Sequence, residues 1–284
     1  MAPFRAAAVQ MRSGRDVAAN VAAAEALIRE AAAAGARYVQ TPEMTNLLER
    51  DKAALLAKIA GEDACGALAR FRALAAELCI HLHIGSLAVK LDDGAIANRA
   101  FLIGPDGGIV ARYDKIHMFD VDLANGESWR ESATYRPGDE AVVVDLPEAR
   151  LGPAICYDVR FAHLFRTLAK AGAEVLAIPA AFTKQTGEAH WHVLMRARAI
   201  ETGSWVVAAA QGGHHEDGRD TYGHSLIVDP WGKIVAEAGS EPGIIVAEID
   251  PGAVAAARAR IPALANDRPF TAPAAAAAPE RVAS

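Results

Sequence analysis

The sequence predicts an α/β domain in which two mixed β-sheets lie face to face and are covered by helices. Segments with apolar residues at helical spacing alternate with short apolar runs typical of buried strands, in both halves of the 284 residues. Several predicted strands are also joined by tight turns, such as the one over residues 104–108, which predicts antiparallel hairpins. Parallel and antiparallel pairs are therefore expected within the same sheets.

Capping residues and apolar runs define the elements of the first half. Asp16 is a typical N-cap, and Gly35 is a typical helix stop. Two polar residues, Glu43 and Lys115, come just past predicted strands. The predicted elements are a strand at 4–11, a helix at 16–34, a strand at 36–41, a helix at 63–78, a strand at 80–89 and hairpin strands at 97–103 and 109–113.

The second half follows the same alternation after a polar loop predicted over residues 126–139. Residues 271–284 lack apolar periodicity and large side chains, so we expect a single domain over 1–270 and a mobile tail. The predicted elements are strands at 141–146 and 151–155, a helix at 162–171, a strand at 175–179, a helix at 188–201, and strands at 205–210, 225–228, 233–236 and 243–249.

Charge and composition exclude several classes of partner. The formal net charge is −6, and no run of Lys and Arg interleaves with aromatic residues, which disfavours nucleic acid and anionic membranes. Neither a signal-peptide pattern nor a bilayer-length apolar stretch is present, so we expect a soluble, cytoplasmic protein that binds a small molecule. Cys65, Cys79 and Cys156 leave an odd thiol in any disulfide scheme, which favours reduced cysteines.

Cys156 lies at a predicted turn from a strand into a helix. Free N–H groups of a first helical turn favour a thiolate and would stabilise an oxyanion beside it. This position therefore suits a nucleophile. The alternative is a buried cysteine that only fills space, which is common for free cysteines.

Glu43 and Lys115 complement Cys156 chemically. A carboxylate can take the thiol proton, the thiolate can attack a carbonyl carbon, and an ammonium can stabilise the oxyanion. Taken singly, each charged residue is equally well read as a solvated surface group. Taken together, the three predict a hydrolase of the cysteine type.

Four ordered motifs make the chain resemble the nitrilase superfamily of carbon–nitrogen hydrolases over residues 4–270. The resemblance implies an αββα four-layer sandwich, a homodimer formed through helices near the nucleophile and the segment before Thr271, and a second acid, Glu131, that supports Lys115. It implies no cofactor. The motifs are Thr41-Pro42-Glu43-Met44, Arg112-Tyr113-Asp114-Lys115-Ile116-His117, Glu131-Ser132 before Arg136-Pro137-Gly138-Asp139, and Ala154-Ile155-Cys156-Tyr157-Asp158-Val159-Arg160-Phe161.

The residues around and after Cys156 resemble those of Nit-type amidases, and in particular the amidases of deaminated glutathione. This resemblance implies a substrate site that includes Tyr157, Phe182 as an apolar wall and Thr183 as a hydrogen-bond donor. Arg160 offers a planar fork suited to the carboxylate of a 2-oxo acid. The alternative for Arg160 is an ion pair with Asp158 or a glutamate that only braces the turn.

The resulting hypothesis is a cofactor-free amidase that converts deaminated glutathione to 2-oxoglutarate and cysteinylglycine through a thioester. The alternatives are an ω-amidase acting on 2-oxoglutaramate, or an enzyme for another small carboxylate-bearing amide. A binding protein with an inactive site is disfavoured by the complete triad. The loop at 212–219 is a candidate for leaving-group contacts through His214, His215 and Arg219. No metal is expected at these two histidines or at His81 and His83.

Overall fold

Two six-stranded mixed sheets form the centre of the fold in the computed structural model, which describes residues 2–123, 126–271 and 273. The strands are β1 (Phe4–Gln10), β2 (Tyr38–Gln40), β3 (His81–Lys90), β4 (Ile96–Ile103), β5 (Ile109–Asp114), β6 (Asp120–Asp122), β7 (Ser128–Arg130), β8 (Val144–Asp145), β9 (Arg150–Pro153), β10 (Val175–Ala177), β11 (Trp205–Ala208), β12 (Gly212–His214), β13 (Asp220–Tyr222), β14 (Leu226–Val228), β15 (Ile234–Glu237) and β16 (Gly243–Ile249). The helices are α1 (Val17–Ala33), α2 (Lys52–Lys58), α3 (Gly66–Leu78), α4 (Ala162–Lys170), α5 (Lys184–Thr202) and α6 (Pro251–Arg260).

The two sheets have similar topologies. The first has the strand order β16-β1-β2-β3-β4-β5, and the second has the order β15-β14-β11-β10-β9-β8. In each sheet three neighbouring strands are parallel, β1-β2-β3 in one and β9-β10-β11 in the other, and the outer pairs are antiparallel. The prediction of mixed sheets that contain hairpins is confirmed.

Small side chains between the sheets allow their backbones to approach closely. Ala6 and Ala8 of β1 are fully buried in one apolar cluster with Val175, Ala177 and Val207 of the second sheet. Helices α1 and α3 cover the outer face of the first sheet, while α4 and α5 cover the second. The predicted four-layer αββα order is therefore confirmed.

Several boundaries differ from the prediction. The segment predicted as a loop at 126–139 contains β7, which pairs with β6, and a short 3₁₀ helix at Glu131–Ala133. Helix α5 begins at Lys184, four residues earlier than predicted, and it includes Gly187. A Cβ at Gly187 would lie 2.3 Å from a Tyr222 side-chain atom, so this glycine serves packing and does not end the helix.

Helices α2 and α6, strand β6 and the β12–β13 hairpin were also absent from the prediction. The tail predicted at 271–284 lies outside the described residues, except for Thr271 and Pro273. Among the helices of the described ranges, none combines the length and apolar character needed to cross a bilayer.

Candidate active site

Glu43, Lys115 and Cys156 meet where the ends of the two sheets come together. Glu43 follows β2 and Lys115 follows β5 in the first sheet, whereas Cys156 follows β9 in the second. All three are buried, with exposures of 4%, 2% and 7%. Strand ends of α/β folds commonly carry such groups because the loops that follow the strands converge there. The structure brings together the three residues that the sequence predicts.

Lys115 lies between two carboxylates. Its Nζ donates to Glu43 Oε1 at 2.8 Å and to both Glu131 oxygens at 2.9 and 2.8 Å. Burial opposes the charge on Lys115, but the two carboxylates outweigh this effect and raise the pKa of Lys115 well above its usual value. Lys115 is therefore a fixed ammonium, and all of its N–H groups have partners.

Glu131, the predicted second acid, supports Lys115 by direct contact. Its Oε2 also accepts a hydrogen bond from the Phe119 backbone N–H at 2.7 Å, which fixes the carboxylate plane. Burial and the nearby charge of Glu43 raise the pKa of Glu131 despite the attraction of Lys115. The pKa of Glu43 is lowered instead, because Lys115 and other donors outweigh its burial.

Cys156 starts a short 3₁₀ helix (Cys156–Arg160) with φ at +49°, a left-handed conformation that turns the chain sharply after β9. Burial, together with the charge of the neighbouring Glu43, raises the pKa of Cys156 well above its usual value. The expectation of a thiolate favoured by the helix start is therefore wrong. The Cys156 backbone N–H donates to Pro179 O at 2.8 Å, so it is also not free for an oxyanion.

Asn98 and Asp158 organise the cluster, and the sequence analysis did not assign them this role. Asn98 Nδ2 donates to Glu43 Oε1 at 2.9 Å and to Glu131 Oε1 at 3.3 Å. Asp158, fully buried, accepts from Tyr113 Oη at 2.7 Å and from the backbone N–H groups of Ile155 and His117. Asp158 therefore ties the Cys156 turn to the segment that carries Lys115.

A cavity of about 270 Å³ opens from Cys156 towards solvent. Tyr157, Phe182 and Thr183, the predicted substrate-binding residues, line this cavity. Phe182 presents a buried apolar ring, and Thr183 Oγ1 lies 2.7 Å from Thr186 Oγ1. The volume is close to the lower end, about 300 Å³, of typical small-molecule sites.

Arg160 is not among the residues that line this cavity. Its guanidinium lies 5.2 Å from the Phe182 ring centroid and 5.9 Å from that of Tyr157, and Nη1 lies 3.3 Å from His190 Nδ1. The predicted bracing pair with Asp158 is not formed, since Asp158 bonds to other donors. A direct carboxylate contact by Arg160 therefore stays a prediction.

The histidines considered as metal ligands have separate partners. His81 pairs with Glu148, while His83 lies 2.7 Å from Tyr38 Oη and has its pKa lowered to about 3 by burial. His214 pairs with Asp220, and His215 bonds to Thr221. Within the described residues, His192, His224 and Glu237 do place ligand atoms within 4.8 Å of one another, at a surface site that does not line the cavity.

Comparisons with known proteins agree on one family. The model for the carbon-nitrogen hydrolase family matches residues 5–259. Deaminated glutathione amidase of Synechocystis sp. is 41% identical over 93% of this chain and 98% of its own, and omega-amidase NIT2 of Homo sapiens is 37% identical over 94% and 96%. The crystal structure of the C. elegans NitFhit protein has a TM-score of 0.88 and 37% identity, covering 94% of this chain and 66% of that one.

Proposed function

Because the chain belongs to the carbon–nitrogen hydrolase family, we propose that it is a cysteine amidase that hydrolyses deaminated glutathione to 2-oxoglutarate and cysteinylglycine. The observation that carries this proposal is the buried cluster of Glu43, Lys115, Glu131 and Cys156 at the inner end of the cavity. It joins a thiol to a carboxylate base and a fixed ammonium. No cofactor is needed for this chemistry.

The first half of the reaction forms a thioester. Glu43 takes the proton of the Cys156 thiol while the sulfur attacks the amide carbon, and the carbonyl oxygen becomes an oxyanion near Lys115. The raised pKa of Cys156 and the lowered pKa of Glu43 keep the proton on sulfur beforehand, so transfer is coupled to C–S bond formation. The C–N bond then breaks, and Glu43 returns the proton to the leaving nitrogen.

The second half hydrolyses the thioester. Glu43 takes a proton from water as the water oxygen attacks the thioester carbon, and Lys115 again faces the oxyanion. The C–S bond then breaks, the acid product forms and the thiol regains its proton from Glu43. Glu131 holds Lys115 in place through both halves, because it accepts two of the hydrogen bonds from Nζ.

The deaminated glutathione amidase and omega-amidase relatives support a 2-oxo acyl group as the substrate. The two activities differ in the group that leaves, which is cysteinylglycine from deaminated glutathione and ammonia from 2-oxoglutaramate. Omega-amidase is therefore the second candidate, favoured by the 37% identity to the human enzyme. The first candidate is preferred because the cavity extends past Cys156 to polar residues suited to a larger leaving group.

Parallel assays of the two substrates test the proposal. We expect kcat/KM for deaminated glutathione to exceed that for 2-oxoglutaramate by at least about tenfold, the effect of one good contact of about 1.4 kcal/mol. Released cysteinylglycine and ammonia are the respective readouts. A preference for 2-oxoglutaramate would move the assignment to the omega-amidase, and hydrolysis of neither amide would refute both.

The predicted homodimer and cytoplasmic location belong to the same proposal. Val193 and Ile200 are 67% and 53% exposed on one side of α5, and Trp231, near Gly232 that packs on Ile200, is 56% exposed. Exposed apolar residues grouped in this way suit a protein interface, and α5 is one of the helices packed beside the Cys156 turn. Light scattering of Val193→Glu should give a monomer where the unmodified chain gives a dimer.

A further inference from the structure

Arg50 is a guanidinium without an ion pair that faces the cavity. It lines the cavity together with Cys156, and none of the ion pairs in the described ranges includes it, although the charges of Asp217 and Glu127 act on it from nearby. Its Cζ lies 4.1 Å from the centroid of the Trp129 ring. Stacking on an aromatic face holds the planar fork and leaves N–H donors free for an anion.

Arg219 lies beside the same ring. Its Cζ is 5.1 Å from the Trp129 centroid, and its Nε and Nη2 contact Asp217 Oδ2 at 2.7 and 2.6 Å. Partial desolvation and the positive charge of Arg219 lower the pKa of Arg50. Glu127, which accepts from Trp129 Nε1 at 3.2 Å, is a second acid near the pair. Arg50 is thus the less neutralised of two neighbouring cations.

The position of Arg50 points to the leaving-group side of the cavity. In the proposed reaction Glu43 protonates the departing nitrogen, so the leaving group lies on the side of Glu43. Glu43 and Arg50 belong to one chain segment, and Met44, Leu47 and Leu48 between them also line the cavity. A dipeptide leaving group extends about 7 Å from the scissile nitrogen and ends in a carboxylate.

We propose that Arg50 and Arg219, held against Trp129, form a subsite for the C-terminal carboxylate of a peptide-like leaving group. The subsite rests on the proposed function for the direction in which the substrate lies. It deepens that function, since it makes the enzyme select amides whose amine portion ends in a carboxylate. Bidentate binding of this carboxylate by Arg50 would also neutralise the excess positive charge at Trp129.

A matched pair of substrates tests the subsite: deaminated glutathione and the same compound with its glycine carboxylate converted to a carboxamide. We expect the unmodified enzyme to prefer the acid by at least about tenfold in kcat/KM. Arg50→Gln should lower kcat/KM for the acid about tenfold and for the carboxamide less than twofold. Loss of the Arg50 side chain should therefore remove most of the preference for the acid over the carboxamide.

Arg130→Gln is the matched control. Arg130 also lines the cavity, but its Nη2 already donates to both Asp122 oxygens at 2.9 Å. Removing this paired charge should change the acid-to-carboxamide ratio less than twofold. An equal loss of preference in both variants would mean that general charge, not contact with Arg50, sets the ratio, and would overturn the subsite.

Further outcomes separate the subsite from the proposed function. Equal kcat/KM for the two substrates, or an equal loss for 2-oxoglutaramate in Arg50→Gln, would overturn a leaving-group subsite while leaving the amidase intact. If only 2-oxoglutaramate is hydrolysed, deaminated glutathione is not the substrate. The subsite is then tested by inhibition of 2-oxoglutaramate hydrolysis. Cysteinylglycine should then inhibit that hydrolysis at least about tenfold more strongly than its carboxamide. Equal inhibition would overturn the subsite.

Discussion

The charged groups at the inner end of the cavity are paired with one another, whereas Arg50 in its outer wall is not in an ion pair within the described ranges. At the inner end, the cluster of Glu43, Lys115, Glu131 and Cys156 is buried, and each N–H of the Lys115 ammonium has a carboxylate partner. At the outer wall, Arg50 stacks on Trp129 in partial contact with solvent and has no ion pair among the described residues. The hydrogen bonds of the inner groups are formed before substrate binds, whereas Arg50 in the wall has N–H donors that remain free to bind it.

This difference assigns reaction and selection to separate parts of the cavity. Buried charges are stable only when paired and hydrogen-bonded, so the inner cluster tolerates little change. An exposed cation is hydrated when no ligand is present, so the wall can vary at little cost to folding. Changes at the inner end should therefore alter rate and stability together, whereas changes at exposed side chains of the wall, such as Arg50, should alter substrate preference alone.

Lys115→Met should have the largest combined effect on rate and stability. It removes the positive charge that we propose stabilises the oxyanion, so kcat should fall by about a hundredfold or more. It also leaves Glu43 and Glu131 facing each other in a buried site, which should lower the thermal unfolding midpoint. Steady-state assays and calorimetry measure the two effects. Lys90→Met, at an exposed position, is the control and should match the unmodified chain.

Glu49→Gln tests how the outer wall is held. Glu49 is buried next to Arg50, and hydrogen bonds from Arg15 and Lys58 outweigh its burial and lower its pKa to about 2. The stability this provides is present above the ordinary pKa of 4.5 and is lost as the pH falls towards 2. We expect the variant to lose about 2 kcal/mol of unfolding free energy at pH 7.

The difference between Glu49→Gln and the unmodified chain should disappear near pH 2, as measured by denaturant unfolding. Glu241→Gln is the matched control, because Glu241 pairs with Arg12 at 2.9 Å but is 75% exposed. It should cost less than about 1 kcal/mol at any pH. A loss in Glu49→Gln that is the same at pH 7 and at pH 2 would show that the charge on Glu49 is not what holds the wall.

Asn98→Leu should give the smallest effect. Loss of the donor to Glu43 and Glu131 removes stabilisation of their charged forms, so the pKa of Glu43 should rise. The acid limb of the kcat/KM profile should then move to higher pH by less than about one unit, with kcat reduced only several-fold at pH 8. An unshifted acid limb would mean that Asn98 fills space and does not tune the cluster.

The residues of the inner end could be predicted from the sequence better than those of the wall, because the inner residues have the chemistry of a nucleophile and its partners. Glu43, Lys115 and Cys156 each follow a predicted strand, so their convergence follows from the alternation of elements. Glu131 lies within a predicted loop, and only the resemblance of its motif implied its place beside Lys115. The protonation state of Cys156 could not be predicted in this way, because its raised pKa depends on burial and on the nearby Glu43. The backbone N–H groups at the helix start predicted a thiolate at Cys156, whereas burial of the side chain in the folded protein favours the thiol.

Arg50 and Trp129 were missed because nothing in their local sequence indicates a contact. They come from the segment after Glu43 and from β7, and they meet only through a hairpin that was predicted as a loop. The short helix α2 was missed because seven residues give too few turns for periodicity to show. Long-range pairings of this kind are decided by packing, which a local pattern does not encode.

Mass spectrometry of the enzyme, quenched during turnover of deaminated glutathione, tests the role of Cys156 most directly. We expect a 2-oxoglutaryl adduct on Cys156 that is sensitive to hydroxylamine, as a thioester is. The adduct should be absent from Cys156→Ala, which should lose at least about 10³-fold in kcat. Peptide mapping separates Cys156 from the other thiols, buried Cys65 and exposed Cys79. Product formation without an adduct on Cys156, or full activity in Cys156→Ala, would contradict this role.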